Sequence, residues 1–452
     1  MKHLKPLFLF VLAVLISSCS IRDDEPLDTP NESINAGTVS LEDALETLNE
    51  FMASHGQEMH LTKSGSQRRI SSISTYPAAD DATKSVDSDS VDMRPIAYIV
   101  NFEDDEGFAV LGAKESIPKI IAITEGGYID PLTLRVYDRL SDIQTDADDS
   151  DADDDWSGSV LDSQYYCEED GDYYSASGAD DNPIVSGLIR TGTYDPPIEY
   201  GDYTGPAESR KYAECAPLVR LNWTQDEPYN KHCKRGTNGK ETALAGCSNI
   251  ALSMMVTANE FPNQLTINGV QLSWPAMKSS PEATSLRESG EGHVALLVGY
   301  VYNNVLKLTS KNYTMITPEQ IKKRLVALGY TNVVKHKSSS FDSGMIRNVS
   351  KMLSRRKPVF ISAIPKQINH AHSWFIDGAT YNQGEYLLHF NFGWEGRSNG
   401  YFSVSCLNPA KAVIYDDPDS GGNIANNYLY VWHFRLLTYD IPSESVTKSV
   451  TF

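Results

Sequence analysis

The chain has 452 residues, of which 40% are hydrophobic and 22% charged. That balance permits a large buried core and excludes wholesale disorder, and six cysteines are too few for a disulfide-built scaffold. The 60 Asp and Glu against 39 Lys and Arg give a formal net charge of −21, which argues against nucleic acid as a partner, because phosphates call for a basic face.

Residues 1–19 open with Lys2, His3 and Lys5, continue through an apolar run from Leu7 to Ile16, and end in Ser17-Ser18-Cys19. The run is too short to span a bilayer comfortably, and its basic start and small-residue end read as an export signal. Ile16-Ser17-Ser18-Cys19 resembles a bacterial lipobox, in which the cysteine becomes the lipidated first residue. Asp23-Asp24-Glu25 resembles the acidic tag of surface-exposed lipoproteins in Bacteroides-like bacteria. The expectation is an outer-membrane or cell-surface lipoprotein with its lipid anchor at Cys19, retained there or released after processing. The alternative is an ordinary cleaved signal with an incidental cysteine. Export permits disulfides. Cys167, Cys215, Cys233, Cys247 and Cys406 are odd in number, so at least one is expected to be an unpaired, candidate reactive thiol.

After a polar stretch over 20–39, Ser40 to Met52 reads as a helix. Ser40 can cap it, and Leu41, Ala44, Leu45, Leu48, Phe51 and Met52 recur at helical spacing. Residues 53–93 are rich in Ser, Asp and Lys and read as irregular. Ala97–Phe102 and Phe108–Gly112, separated by a turn, read as a hairpin, and Pro118–Thr124 as a further strand. Between Ser141 and Asn182 lie 15 Asp and Glu and no Lys or Arg. This reads as a solvated, self-repelling linker; a calcium loop is the alternative, with oxygen donors but without an EF-hand's glycine and distal glutamate. The chemistry lies in the unit beyond residue 207.

There, Gly246-Cys247 heads an apolar helical stripe of Ile250, Ala251, Met254 and Met255. A cysteine in a first helical turn meets free N–H groups and the positive end of the helix dipole, which favour thiolate, the attacking species of acyl transfer. The backbone N–H of Cys247 can also face a developing oxyanion. Alone, the pattern is weak, because a cysteine heading an apolar helical stripe is more often a core residue than a catalytic one. Further on, Asn369-His370-Ala371-His372 precedes a β-rich run ending at Asp377-Gly378. Two histidines at i and i+2 also suit a metal, but no element supplies further ligands. Asn391 lies in His389-Phe390-Asn391-Phe392-Gly393-Trp394-Glu395-Gly396 and offers a carboxamide to an imidazole N–H. Gln225, in Trp223-Thr224-Gln225, offers a side-chain oxyanion donor.

These segments resemble, in kind and order, the streptopain-type cysteine peptidases, distant members of the papain-like fold. Trp223-x-Gln225-x-x-Pro228-Tyr229-Asn230 resembles the family's oxyanion segment, Gly246-Cys247 its nucleophile, His372-Ser373-Trp374-Phe375-Ile376-Asp377-Gly378 its histidine strand, and Asn391-x-Gly393-Trp394-x-Gly396 its Asn-Trp-Gly-Trp-Gly segment. The family's spacing of histidine to Asp-Gly, matched here by Asp377-Gly378, implies His372 rather than His370. The resemblance implies an α+β fold: a papain-like domain over 207–452, with a helix-bearing half and an antiparallel β half, after a signal over 1–19, a small α+β inhibitory prodomain over 20–140 and an acidic linker over 141–206. It implies Cys247, His372, Asn391 and Gln225 as catalytic residues, and Gly246, Phe392 and Trp394 as substrate-binding ones. It further implies a cysteine endopeptidase made as a zymogen, with protein or peptide substrates, its own prodomain as inhibitor, processing near Arg210-Lys211, and neither metal nor cofactor. The chain departs from the family pattern at Ser248-Asn249-Ile250, at Ala371 and at Phe392. The rival readings are an inactive peptide-binding or inhibitor-like relative, and a surface adhesion lipoprotein.

Overall fold

The computed structural model describes residues 37–55, 68–76, 95–115, 117–129, 136–137, 165–167, 172–174, 212–235, 241–279, 292–303, 308–309, 314–338, 341–364, 372–404, 413–414 and 432–452. The export signal with Cys19, most of the acidic segment, Arg210-Lys211, His370 and Cys406 lie outside these residues. Cys215 and Cys247 are free thiols, and Cys233 is buried.

The N-terminal half follows its apolar pattern. Helix α1 (Leu41–His55) starts where the Ser40 hydroxyl accepts the Asp43 N–H at 3.1 Å, and it buries Ala44, Leu48, Phe51 and Met52. Burying a side chain such as Leu48 or Phe51 stabilises by about 1.5–3 kcal/mol. Strands β2 (Ala97–Phe102), β3 (Phe108–Gly112) and β4 (Ile120–Thr124) are buried on both faces. Tyr98, Val100, Ala109, Leu111 and Ile123 face α1, while Ile99, Phe108, Val110 and Ile121 join the larger core on the other side. Strand β1 (Ile70–Tyr76) is an addition to the sequence reading, which left this stretch irregular. It is an edge strand paired only to β2, and half-solvated Ser, Thr and Ile carry no clean alternation.

The C-terminal half supplies helices α2 (Cys247–Asn259), α3 (His293–Asn303), α4 (Pro318–Leu328) and α5 (Ser343–Leu353). It also supplies strands β5 (Thr331–Ser338), β6 (Val359–Ile364), β7 (His372–Asn382), β8 (Glu385–Asn391), β9 (Gly400–Ser403) and β10 (Trp432–Asp440). All ten strands form one antiparallel sheet in the order β1-β2-β3-β4-β9-β8-β7-β6-β10-β5. The fold class is α+β, and the N-terminal strands continue the C-terminal sheet across the β4–β9 seam. There Gly400 opposes Thr124, and a Cβ on Gly400 would collide with the Ile123 carbonyl.

The central hairpin is fixed by its turn and by a bulge. Gln383 and Gly384 both take positive φ, 47° and 91°, the geometry of a two-residue type I′ turn matched to strand twist. The β7–β8 register slips between Ile376 and Gly378, so Asp377 is the extra residue and its side chain is re-aimed inward. Its Oδ2 accepts the Leu218 and Val219 N–H groups at 3.1 and 3.3 Å, and its Oδ1 lies 2.6 Å from His389 Nδ1. The other imidazole nitrogen of His389 faces Glu125, beyond the end of β4, at 3.4 Å. Burial by itself would lower the His389 pKa, but the Asp377 and Glu125 carboxylates outweigh it and push the value up to about 10 from 6.5.

His389 therefore contributes stability that is complete below about pH 6.5 and is lost as pH rises through about 10. Asp377→Asn is expected to cost about 3–5 kcal/mol, because it strips a buried cation of its main partner. Urea midpoints followed across that range should fall for the wild type and flatten in the variant; parallel curves would refute the assignment.

Candidate active site

Helix α2 can start only on glycine. Gly246 sits at φ 87° and ψ 138°, a left-handed backbone that side chains resist, and it brings no side chain to cap the helix. The first-turn N–H groups are thus left for other acceptors, and half-buried Cys247 occupies the first helical position. The sequence indicates one apolar face; in the structure every residue from Ser248 to Thr257 is buried. The helix is wedged between the sheet and α3, and its polar residues are satisfied inside. Asn249 Nδ2 donates to Ala245 and Val298 carbonyls at 3.3 and 3.0 Å, while its Oδ1 accepts from Ser253 Oγ at 3.2 Å.

The first turn of α2 meets the first residues of β7. Ser248 Oγ and Ser373 Oγ lie 2.8 Å apart. Burial pushes the Cys247 thiol up, and hydrogen bonds to its sulfur from the backbone and hydroxyls of Ser373 and Ser248 oppose this. His372, the residue before Ser373, is 6% exposed. Its Nε2 lies 3.1 Å from the Phe392 carbonyl. A carbonyl only accepts, so Nε2 carries the proton and Nδ1 is the basic nitrogen. The imidazole is enclosed by Trp394, Trp374 and Phe392, with centroids at 4.7, 6.0 and 6.1 Å. Burial lowers its pKa to about 3, against the pull of the Phe392 carbonyl. In this state thiol and imidazole are both neutral, whereas an ion pair is the form expected for attack.

Asn391 does not meet His372 in the expected way. Its Nδ2 donates to the Leu221 carbonyl at 2.8 Å, and its Oδ1 accepts the Gly393 N–H at 3.1 Å. The carboxamide fixes the turn, and the turn's own Phe392 carbonyl meets the imidazole. That turn seats on the nucleophile's helix: a Cβ on Gly393, at φ 74°, would lie 2.9 Å from Ile250 Cγ2. Glu395 N–H donates to the Trp223 carbonyl at 3.0 Å. The Gln225 carbonyl accepts the Ala245 N–H at 2.9 Å, which holds Gln225 beside Ala245, the residue two before Cys247 in the chain. Phe392 and Trp394, expected to bind substrate, are 6% and 8% exposed and stack on each other at 4.8 Å. In this state they shield the imidazole. Gly246 is buried in the bend before the helix.

The structure thus gathers Gln225, Gly246, Cys247, His372, Asn391, Phe392 and Trp394 around one helix start. The sequence reading missed Ser248, Ser373 and Trp374. Ser248 directly follows the cysteine and Ser373 directly follows the histidine, and that shared placement was the available signal.

Residues 223–402 match the model of the Peptidase C10 family. Streptopain of Streptococcus pyogenes is 23% identical over 261 residues, 46% of this chain and 60% of the streptopain chain. The same figures hold for streptopain of serotype M1. Among solved structures, a mutant prointerpain A fragment from Prevotella intermedia is 16% identical, with a TM-score of 0.42, over 78% of this chain and 96% of that one. Active interpain A from the same organism is 17% identical, with a TM-score of 0.37, over 53% of this chain and 97% of that one. Residues 223–402 are thus similar to the streptopain-type Peptidase C10 family, and the chain spans 60% of the length of the streptopain it matches.

Proposed function

We propose that this chain is a cysteine endopeptidase made as a zymogen, with Cys247 as nucleophile and His372 as general acid–base. The observation that carries this reading is the abutment of the α2 N-terminus on the strand that begins with His372, made by the Ser248–Ser373 contact of 2.8 Å. In the reaction, the Cys247 proton passes to His372 Nδ1 and the thiolate attacks a peptide carbonyl carbon. The oxyanion is held by the Cys247 N–H and the Gln225 side-chain amide. Collapse breaks the C–N bond, and the proton on His372 leaves with the amine. Water then gives a proton to His372 as its oxygen attacks the thioester, and the C–S bond breaks to free the acid and the thiol. Asn391 serves by holding the turn whose Phe392 carbonyl orients the imidazole.

The uncharged state of Cys247 and His372, with the imidazole buried, fits a latent form. In this reading, residues 20–206 restrain the enzyme and their removal, near Arg210-Lys211, lets water and charge into the site. Processing would open the seam where Thr124 pairs with Gly400. Export and anchoring through Cys19 complete the proposal, with proteins or peptides outside the cell membrane as substrates.

Cys247→Ala should lower kcat/KM for casein or a fluorogenic peptide by about 10⁴-fold or more. An epoxide of the kind that alkylates papain-like enzymes should label Cys247 in the processed wild type. A processed wild type that neither cleaves nor labels would overturn the assignment. Gln225→Ala should reduce kcat by about 10²–10³-fold with KM little changed; an unaltered kcat would remove Gln225 from the oxyanion site.

A further inference from the structure

The turn that meets the imidazole runs from Phe392 to Asn399, between β8 and β9. Its shape is imposed from outside. Glu395 and Ser398 sit at φ 58° and 57°, a left-handed backbone that side chains disfavour and that persists only where the surroundings determine it. Two buried asparagines bracket the turn. Asn391 ends β8 and accepts the Gly393 N–H. Asn399 directly precedes β9 and has no place in the catalytic scheme above. It is 2% exposed, and its Oδ1 accepts the Phe392 N–H at 3.0 Å. Asn399 is itself anchored through its backbone: its N–H donates to the Gly396 carbonyl at 3.3 Å, and its carbonyl accepts the Glu125 N–H at 2.7 Å.

Phe392 is therefore gripped on both sides of its Cα. Asn399 holds the peptide plane before it, by the Phe392 N–H, and Asn391 holds the plane after it, by the Gly393 N–H. Because each peptide is planar, fixing both planes fixes φ and ψ of Phe392 and with them the direction of its carbonyl. That carbonyl lies 3.1 Å from His372 Nε2. We propose that Asn399 is a positioning residue for His372: by holding the Phe392 N–H it aims the Phe392 carbonyl at the imidazole and so sets which ring nitrogen carries the proton. The inference rests on His372 being the general acid–base. A neutral imidazole holds its proton on either nitrogen, and the choice follows from the acceptor it meets. With the carbonyl in place the proton stays on Nε2 and Nδ1 is bare to receive the thiol proton. With the plane before Phe392 released, the carbonyl swings and part of the molecules carry the proton on Nδ1, where it blocks the transfer.

The test reads the tautomer on the full chain by NMR of nitrogen-15-labelled histidine side chains, with His372→Gln identifying the signal. The wild type should show one form, protonated at Nε2. Asn399→Ala should show both tautomers, and Asn399→Asp, which keeps an oxygen acceptor at the same reach, should return the single form. In casein cleavage by the same chain, incubated to allow processing, Asn399→Ala should lower kcat by about 10–100-fold with KM little changed, and Asn399→Asp should regain most of the loss. A single tautomer and an unaltered kcat in Asn399→Ala would overturn the proposal. So would a loss that Asn399→Asp fails to repair. If the alanine variant does not fold, Asn399→Ser, with a side chain too short to reach the Phe392 N–H, carries the same measurements. Failure here is separable from failure of the acid–base assignment: His372→Gln would still abolish cleavage in the first case and leave it intact in the second.

Discussion

The account depends on a helix that begins without a cap and is pressed, at that end, against the start of a strand. Gly246 makes the uncapped start possible, because its backbone takes a conformation that a side chain would resist. Burial of α2 from Ser248 to Thr257 fixes it in the core, and Asn249 ties it to α3 through the Val298 carbonyl. With the helix fixed, Ser248, the residue after Cys247, meets Ser373, the residue after His372. Placement of the proposed nucleophile here is a consequence of core packing rather than of loops.

A second constraint comes from the bulge in β7. The extra residue, Asp377, turns inward, collects two backbone N–H groups from Leu218 and Val219, and holds His389 charged. It thereby ties the segment leading to Trp223 and Gln225 onto the strand that carries His372. Glu125 adds a carboxylate from the N-terminal strands to the same cation. The buried charge thus joins the two halves of the sheet near the seam where Gly400 lets β4 and β9 approach. The charged pair inside the fold contrasts with the neutral pair at the site: carboxylates surround His389, whereas aromatic rings surround His372.

Much of this was legible in the residues, and the exceptions have physical causes. α1, the hairpin of β2 and β3, β4 and the start of α2 follow from apolar spacing, because each buries one continuous stripe. β1 was hidden because an edge strand half in solvent needs no such stripe. The four residues Gln225, Cys247, His372 and Asn391 could be named from order and chemistry, but the link between the last two could not. Sequence shows a carboxamide near a histidine; only coordinates show that the amide holds a turn and that a backbone carbonyl meets the ring. Phe392 and Trp394 read either as substrate-binding residues or as an aromatic shield at the histidine, and the structure stacks them on each other beside the imidazole. The Ser248–Ser373 pair left only the faint trace of each serine following a candidate catalytic residue, as a contact between residues 125 positions apart leaves no local pattern.

The central claim is that the Cys247 sulfur and the His372 ring work on one bond. A bifunctional haloketone tests it most directly: after alkylating the reactive thiol, its second arm can capture only a nucleophile within reach. On the processed chain, mass spectrometry should find a peptide in which Cys247 is bridged to His372. A Cys247 adduct with its second arm hydrolysed, or a bridge to His370 instead, would contradict the account.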